Sequence, residues 1–182
     1  TIGHNTVSIA PNGENTIVVD PAANSALGVE HVERFGWLLR GSAVTLAQLE
    51  IPMEAVAVAA RRAGGRFVLN PAPAAVVPAD VMTRVTVLVP NRTELARLAN
   101  AAPPQNPDEA MAMAATIEGP EAIVVTLGAA GAVIVAGKVR THVPAPQVVV
   151  VDPTAAGDAF CGGLAGALAS GAGPLCHRPG LY

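Results

Sequence analysis

The sequence predicts an α/β fold, a three-layer α/β/α arrangement around a mostly parallel central sheet. Three observations predict it. Short strand-like runs alternate with helix-like patterns through the middle of the chain. Those strand runs are apolar throughout and do not alternate with polar residues, as expected of a sheet covered on both faces. Of the 182 residues, 51% are hydrophobic and only 14% charged, enough apolar material for one domain with a real core. No internal repeat or low-complexity linker divides the chain.

Residues 5–10 and 15–19 read as two short strands, joined by a hairpin turn at Pro11-Asn12-Gly13-Glu14. Asp20 to Ala26 is a polar loop containing Pro21. A helix is expected over 28–39, with Val29, Val32, Phe35 and Leu38 or Leu39 on one face. Ala43 to Leu49 reads as a strand ending at Glu50. Pro52, at the first helical position, starts a helix to about Ala63, and Gly64-Gly65 stops it. Phe67 to Leu69 is the next strand, followed by the loop Asn70-Pro71-Ala72-Pro73. Val85 to Val89 is another, ended by Pro90. Asn91 caps a helix over Thr93–Asn100, with Glu94 at the capping-box position. A proline-rich loop at 103–107 precedes a helix over Asp108–Glu118. Ile123 to Leu127 is a strand, Gly128 to Gly131 a tight turn, Ala132 to Val135 the returning strand, and Lys138 to Val143 one more.

The stretch Val148 to Gly171 organises the rest. Four valines, Val148 to Val151, read as a buried strand. Asp152-Pro153-Thr154 and the small residues Ala155, Ala156 and Gly157 form a turn. Asp158 then opens a buried helix rich in Ala, Gly and Leu. The first amides of a helix lack partners within it and carry partial positive charge. Small side chains let a phosphate approach them. By itself Asp158 reads equally as an ordinary acid at a helix start. Glu50, Asn70, Asn91 and Asp152 each fall just past a predicted strand, and Thr126 at the end of one, at the edge where α/β sheets bind ligands.

Composition excludes several functions. The net charge of −3 and an aromatic content of 3% argue against a nucleic-acid groove. Every apolar run is interrupted before membrane-spanning length, and the start shows no signal-peptide pattern. Cys161 and Cys176 make no disulfide framework, Cys161 reading as a small buried hydrophobe. That usage is consistent with a reducing, cytoplasmic setting. His4, His31, His142 and His177 show no metal-ligand spacing.

The string Asp152-x-Thr154-Ala155-Ala156-Gly157-Asp158-x-Phe160 resembles the C-terminal signature of the ribokinase-like PfkB carbohydrate kinase family. Further blocks fit that family in the right order. They are Asn12-Gly13-Glu14-Asn15, Ala23-Asn24 with Ala26-Leu27, Gln48-Leu49-Glu50, Leu69 to Ala74, Pro90-Asn91-x-Thr93-Glu94, and Thr126-Leu127-Gly128 with Gly131. Pro153 departs from the Thr or Ser usual at its place.

The resemblance implies a ribokinase-like sandwich and an ATP-dependent sugar kinase that phosphorylates the primary hydroxyl (O5) of D-ribose. It implies Asp158 as general base and sugar contact, with Ala155, Ala156 and Gly157 as an anion hole. It implies Glu50 as a second sugar contact. Asn91, Thr126, Leu127, Gly128, Ala129, Ala130, Gly131, Gly157 and Asp158 would bind ATP. Glu94 would steer Mg²⁺ through water, and Asp152 with Thr154 would hold K⁺. Sugar and ATP are the expected partners, with a homodimer in full-length members. Residues 1–20 correspond to a remnant of lid or edge strands, 21–172 to the α/β core, and 173–182 to an atypical tail. The family's N-terminal third and its segment after the catalytic helix are not recognised. An alternative from another class is therefore a catalytically incompetent remnant that binds nucleotide or a partner. Fructokinase, ketodeoxygluconate kinase and adenosine kinase activities are alternatives within the family.

Overall fold

The computed structural model describes residues 4–9 and 15–171. The expected turn at 11–14 and the tail at 173–182 lie outside the described residues. Strands β1 (His4–Ile9) and β2 (Asn15–Asp20) form an antiparallel ribbon of their own, with His4 opposite Asp20 and Ile9 opposite Asn15.

Two short helices follow, α1 (Val29–Arg34) and α2 (Gly36–Gly41), in place of one helix over 28–39. Phe35-Gly36 joins two weak helix formers, and the chain breaks there. The elements then alternate: β3 (Val44–Ala47), α3 (Met53–Arg62), β4 (Arg66–Leu69), α4 (Ala79–Met82), β5 (Val87–Leu88), α5 (Arg92–Leu98), α6 (Pro107–Ala114) and β6 (Ala122–Thr126). Strands β7 (Ala132–Ala136) and β8 (Val139–Val143) precede α7 (Ala156–Ala169). The sheet runs β3-β4-β5-β6-β7-β8. Pairs from β3 to β6 are parallel, and β7 and β8 add antiparallel strands at one edge.

Burial follows the pleat. In β4, β5 and β6, neighbouring residues go to opposite faces. Leu69, Leu88 and Val125 join the larger apolar cluster, with Val56 of α3, Leu95 of α5 and Ala110 of α6. Val68, Val87 and Val124 join a smaller cluster on the other face, closed by Cys161 and Leu168 of α7. The result is a three-layer α/β/α sandwich in which α7 alone supplies the buried helical contacts of the second face among the described residues.

Several local expectations change. Pro52 is the N-cap of α3, one position before the first helical residue. Gly64 and Gly65 are not left-handed caps. A Cβ on Gly64 would overlap the carbonyl of Arg40, and one on Gly65 the carbonyl of Ala43, so both serve close backbone approach. Helix α6 stops at Ala114, where the Thr116 hydroxyl donates to the Met113 carbonyl at 2.7 Å. Helix α4, not anticipated, is too short to show a period; buried Val81 and Met82 hold it.

The largest correction concerns Val148 to Val151. They form no strand and are 69%, 92%, 67% and 94% exposed. β-branching favours extended backbone, but a strand forms only where a ladder partner and a packed face are present. Among the described residues β8 pairs only with β7, and residues 144–151 continue past it unpaired. Helix α7 is likewise not buried all round. Only Cys161 and Leu168 are buried in it, while Asp158 and Phe160 are exposed.

Candidate active site

The first component is the cap of α5. Asn91 Oδ1 accepts from the Glu94 amide at 2.8 Å, and the Asn91 amide donates to Glu94 Oε2 at 2.8 Å. Asn91 Nδ2 adds a third bond to Glu94 Oε1 at 2.9 Å. This is a complete capping box, as the spacing predicts. Glu94 is only 7% exposed. Burial pushes its carboxyl above the ordinary range, and the Asn91 amide offsets part of that rise.

The second component lies one strand away. Asn91 and Thr126 form a parallel bridge, and the Thr126 amide donates to the Pro90 carbonyl at 3.0 Å. Past Thr126 the chain turns tightly. The Leu127 amide donates to the Gly131 carbonyl at 2.8 Å, and the Gly131 amide to the Gly128 carbonyl at 2.9 Å. Gly128 at φ +61° and Gly131 at φ +90° take left-handed conformations that a side chain would strain. A Cβ on Gly131 would also overlap the Val143 carbonyl.

The third component is the start of α7. Ala155, the N-cap, is itself left-handed at φ 58°, a conformation that costs a residue with a Cβ about 1 kcal/mol or more. Ala156 is not free for an anion: its amide donates to the Pro153 carbonyl at 3.2 Å. The amides of Ala155, Gly157 and Asp158 have no partner among the described residues. A Cβ on Gly157 would meet nothing within 4 Å, so no packing in the described structure requires glycine there. Asp158 stands in the first turn of α7 with its side chain exposed.

Cys161 packs the start of α7 against the sheet. It lies three residues past Asp158, one helical turn on, and is 6% exposed in the apolar cluster that includes Val89, two residues before Asn91. Its thiol is raised first by burial, then by the carboxylates of Asp158 and Glu94. The expected burial of Cys161, argued from the usual behaviour of a free cysteine, is met.

The remaining residues sit further out. Glu50 is half-buried past β3, with its amide on Gln48 Oε1 at 2.7 Å. It is separated from Asn91 by β4, roughly 10 Å at the usual strand spacing. Asn70 bridges the gap, its Nδ2 donating to the Val89 carbonyl at 2.7 Å. Asp152 follows no strand; it lies exposed in an Asx turn, Oδ1 accepting from the Thr154 amide at 2.8 Å. The Thr154 hydroxyl, and then its amide, hold the Asp152 carboxyl below its usual range. Two grooves, of about 590 Å³ beside Met82 and Ile117 and about 430 Å³ beside Leu27 and His31, include none of these residues.

Donor chemistry decides which ions fit. Among the described residues no cluster of three metal-ligating side chains occurs. Magnesium takes one or two carboxylates and completes its shell with water and substrate phosphate, so one buried carboxylate at Glu94 suits it. The exposed Asp152–Thr154 turn supplies too few oxygens for a potassium cage by itself. No helix among the described residues is long and apolar enough to cross a membrane.

Comparisons with known proteins bear on the family and the fold. The family model described as pfkB family carbohydrate kinase matches residues 1–174. A ribokinase of Haemophilus influenzae is 35% identical over 170 residues, covering 89% of this chain and 54% of its own length. A deoxyribokinase of Salmonella typhi is 32% identical over 162 residues, covering 86% and 53%. An Arabidopsis thaliana ribokinase structure, complexed with ribose and ATP, superposes with a TM-score of 0.84 at 27% identity, covering 94% of this chain and 57% of that one. The chain thus spans about half the length of the relatives it matches. The family model and these relatives together show that the chain belongs to the pfkB carbohydrate kinase family.

Proposed function

We propose that this chain carries the phosphoryl-transfer part of an ATP-dependent sugar kinase acting on O5 of D-ribose. The observation that supports it most is the start of α7. There the amides of Gly157 and Asp158, without a partner among the described residues, stand beside an exposed carboxylate, on a helix that Cys161 packs against the sheet.

In this reading ATP lies along the turn Thr126 to Gly131 and reaches Asn91, with its γ-phosphate at the helix start. The sugar's primary hydroxyl oxygen attacks the γ-phosphorus as its proton passes to the Asp158 carboxylate. The bond from that phosphorus to the bridging oxygen breaks, leaving ADP and ribose 5-phosphate. The amides of Gly157 and Asp158, with that of Ala155, stabilise charge on the transferring group. Ala156 is left out, because its amide is committed to Pro153. Mg²⁺, when bound, supplies positive charge to the phosphates, and Glu94 orients its water. Glu50 accepts hydrogen bonds from sugar hydroxyls. The domain division at residues 20 and 172, the K⁺ contact through Asp152 and Thr154, a cytoplasmic location and homodimerisation of the full-length protein belong to the same reading.

A second reading is favoured by the exposure of Asp158 and of Val148 to Val151: a nucleotide-binding chain without turnover. A panel of D-ribose, 2-deoxyribose, fructose, ketodeoxygluconate and adenosine with ATP and Mg²⁺ separates the two. ADP release greatest with D-ribose supports the kinase. ATP binding with no sugar-dependent ADP release supports the second reading.

A further inference from the structure

The turn assigned above to the nucleotide is braced from outside by one side chain. His142, on β8, places Nε2 2.6 Å from the Ala130 carbonyl oxygen. A carbonyl oxygen only accepts, so Nε2 carries the hydrogen and donates it. Inside the turn, the Leu127 carbonyl accepts from the Ala130 amide at 3.3 Å, and the Gly128 and Gly131 carbonyls are taken as described. The Ala130 carbonyl is bonded to His142. The end of β8 also packs on the exit of the turn, since a Cβ on Gly131 would overlap the Val143 carbonyl.

The amides of Gly128 and Ala129 have no partner among the described residues. A Cβ on Gly128 would meet open space. The tip therefore presents two free donors on a backbone that is fixed at its base by β6 and β7 and at its far side by His142.

We propose that His142 is a positioning residue for nucleotide binding. Its Nε2–H holds the Gly128–Ala130 tip so that the Gly128 and Ala129 amides face the nucleotide. The proposal rests on the assignment of this turn to ATP, and it concerns ATP affinity, not the chemical step.

The test compares His142→Phe, which keeps a flat ring without the donor, with His142→Gln, whose side-chain amide reaches a similar distance. The purified protein is assayed for KM of ATP, KM of sugar and kcat, with thermal denaturation of each variant. Loss of one hydrogen bond predicts an ATP KM raised about fivefold to tenfold in His142→Phe. Sugar KM and kcat stay near wild type, and His142→Gln restores most of the ATP affinity. An unchanged ATP KM in a folded His142→Phe protein overturns the proposal. So does an equal loss in both variants, or a fall in kcat with ATP KM unmoved. Wild-type protein that neither binds nor turns over ATP overturns the assignment of the turn, and this proposal with it. Wild-type protein that is active beside an unaffected His142→Phe overturns this proposal alone.

Discussion

Glu94 is a buried acid whose hydrogen bonds come from Asn91, and its ionisation should be visible in the stability of the protein. Burial raises the carboxyl above the ordinary 4.5. The folded state therefore keeps this proton to higher pH than the unfolded chain does. Below 4.5 both states are protonated and Glu94 adds no pH dependence. As pH rises above that value the unfolded chain ionises first, and stability falls until the folded state ionises too. Thermal denaturation should show wild type losing stability relative to Glu94→Gln from the acid side of 4.5 towards neutral pH. A difference that does not change with pH would contradict the buried-acid account. At this scale the sequence was a good guide where spacing carries the physics. Asn91 and Glu94 stand three apart at a helix start, and that alone dictates their reciprocal bonds. It was a poor guide at Ala156, whose amide is turned onto Pro153 by a left-handed Ala155 that no residue type announces.

The elements divide the same way. Helix α5 is short, and its start is held by the Asn91 cap. Replacing Asn91 by Ala removes the acceptor for the Glu94 amide and should cost about 1–2 kcal/mol, lowering Tm by roughly 3–6 °C. Thermal denaturation checks it, and an unchanged Tm would show the cap to be dispensable. Strands β4 to β6 were legible because their neighbours cover both faces, which makes their buried residues apolar. The same rule misread Val148 to Val151. Their composition reports that they suit a buried strand, and the described chain offers neither a ladder partner nor a covering layer. The apolar helix α7 was misread for the same reason, because a pattern states what a segment is suited to pack against and not whether the partner is there. The break at Phe35-Gly36 escaped because the apolar period continues across it while the backbone does not.

On the scale of the whole molecule, the chain spans about half the length of the relatives named above, and apolar side chains stand on its surface. Val149 and Val151 are almost wholly exposed, and Trp37 is 63% exposed. Contiguous exposed valines next to an unpaired backbone favour association. The 1–182 polypeptide should sediment above its monomer mass of 18.3 kDa, and Val149→Asp with Val151→Asp should shift it towards monomer. A monomeric wild-type polypeptide would contradict this. The parallel strands, the crossover helices other than α4 and the order of the motifs were readable in advance, because the sheet's C-terminal edge gathers whatever follows each strand. What could not be read was how exposed that edge is around Asp158. The central claim is that this exposed carboxylate receives the proton of the attacking alcohol. Asp158→Asn tests it most directly, with sugar-dependent ADP release measured beside ATP affinity. The account predicts turnover lowered by about 10²- to 10⁴-fold with ATP affinity retained. Turnover equal to wild type would contradict it.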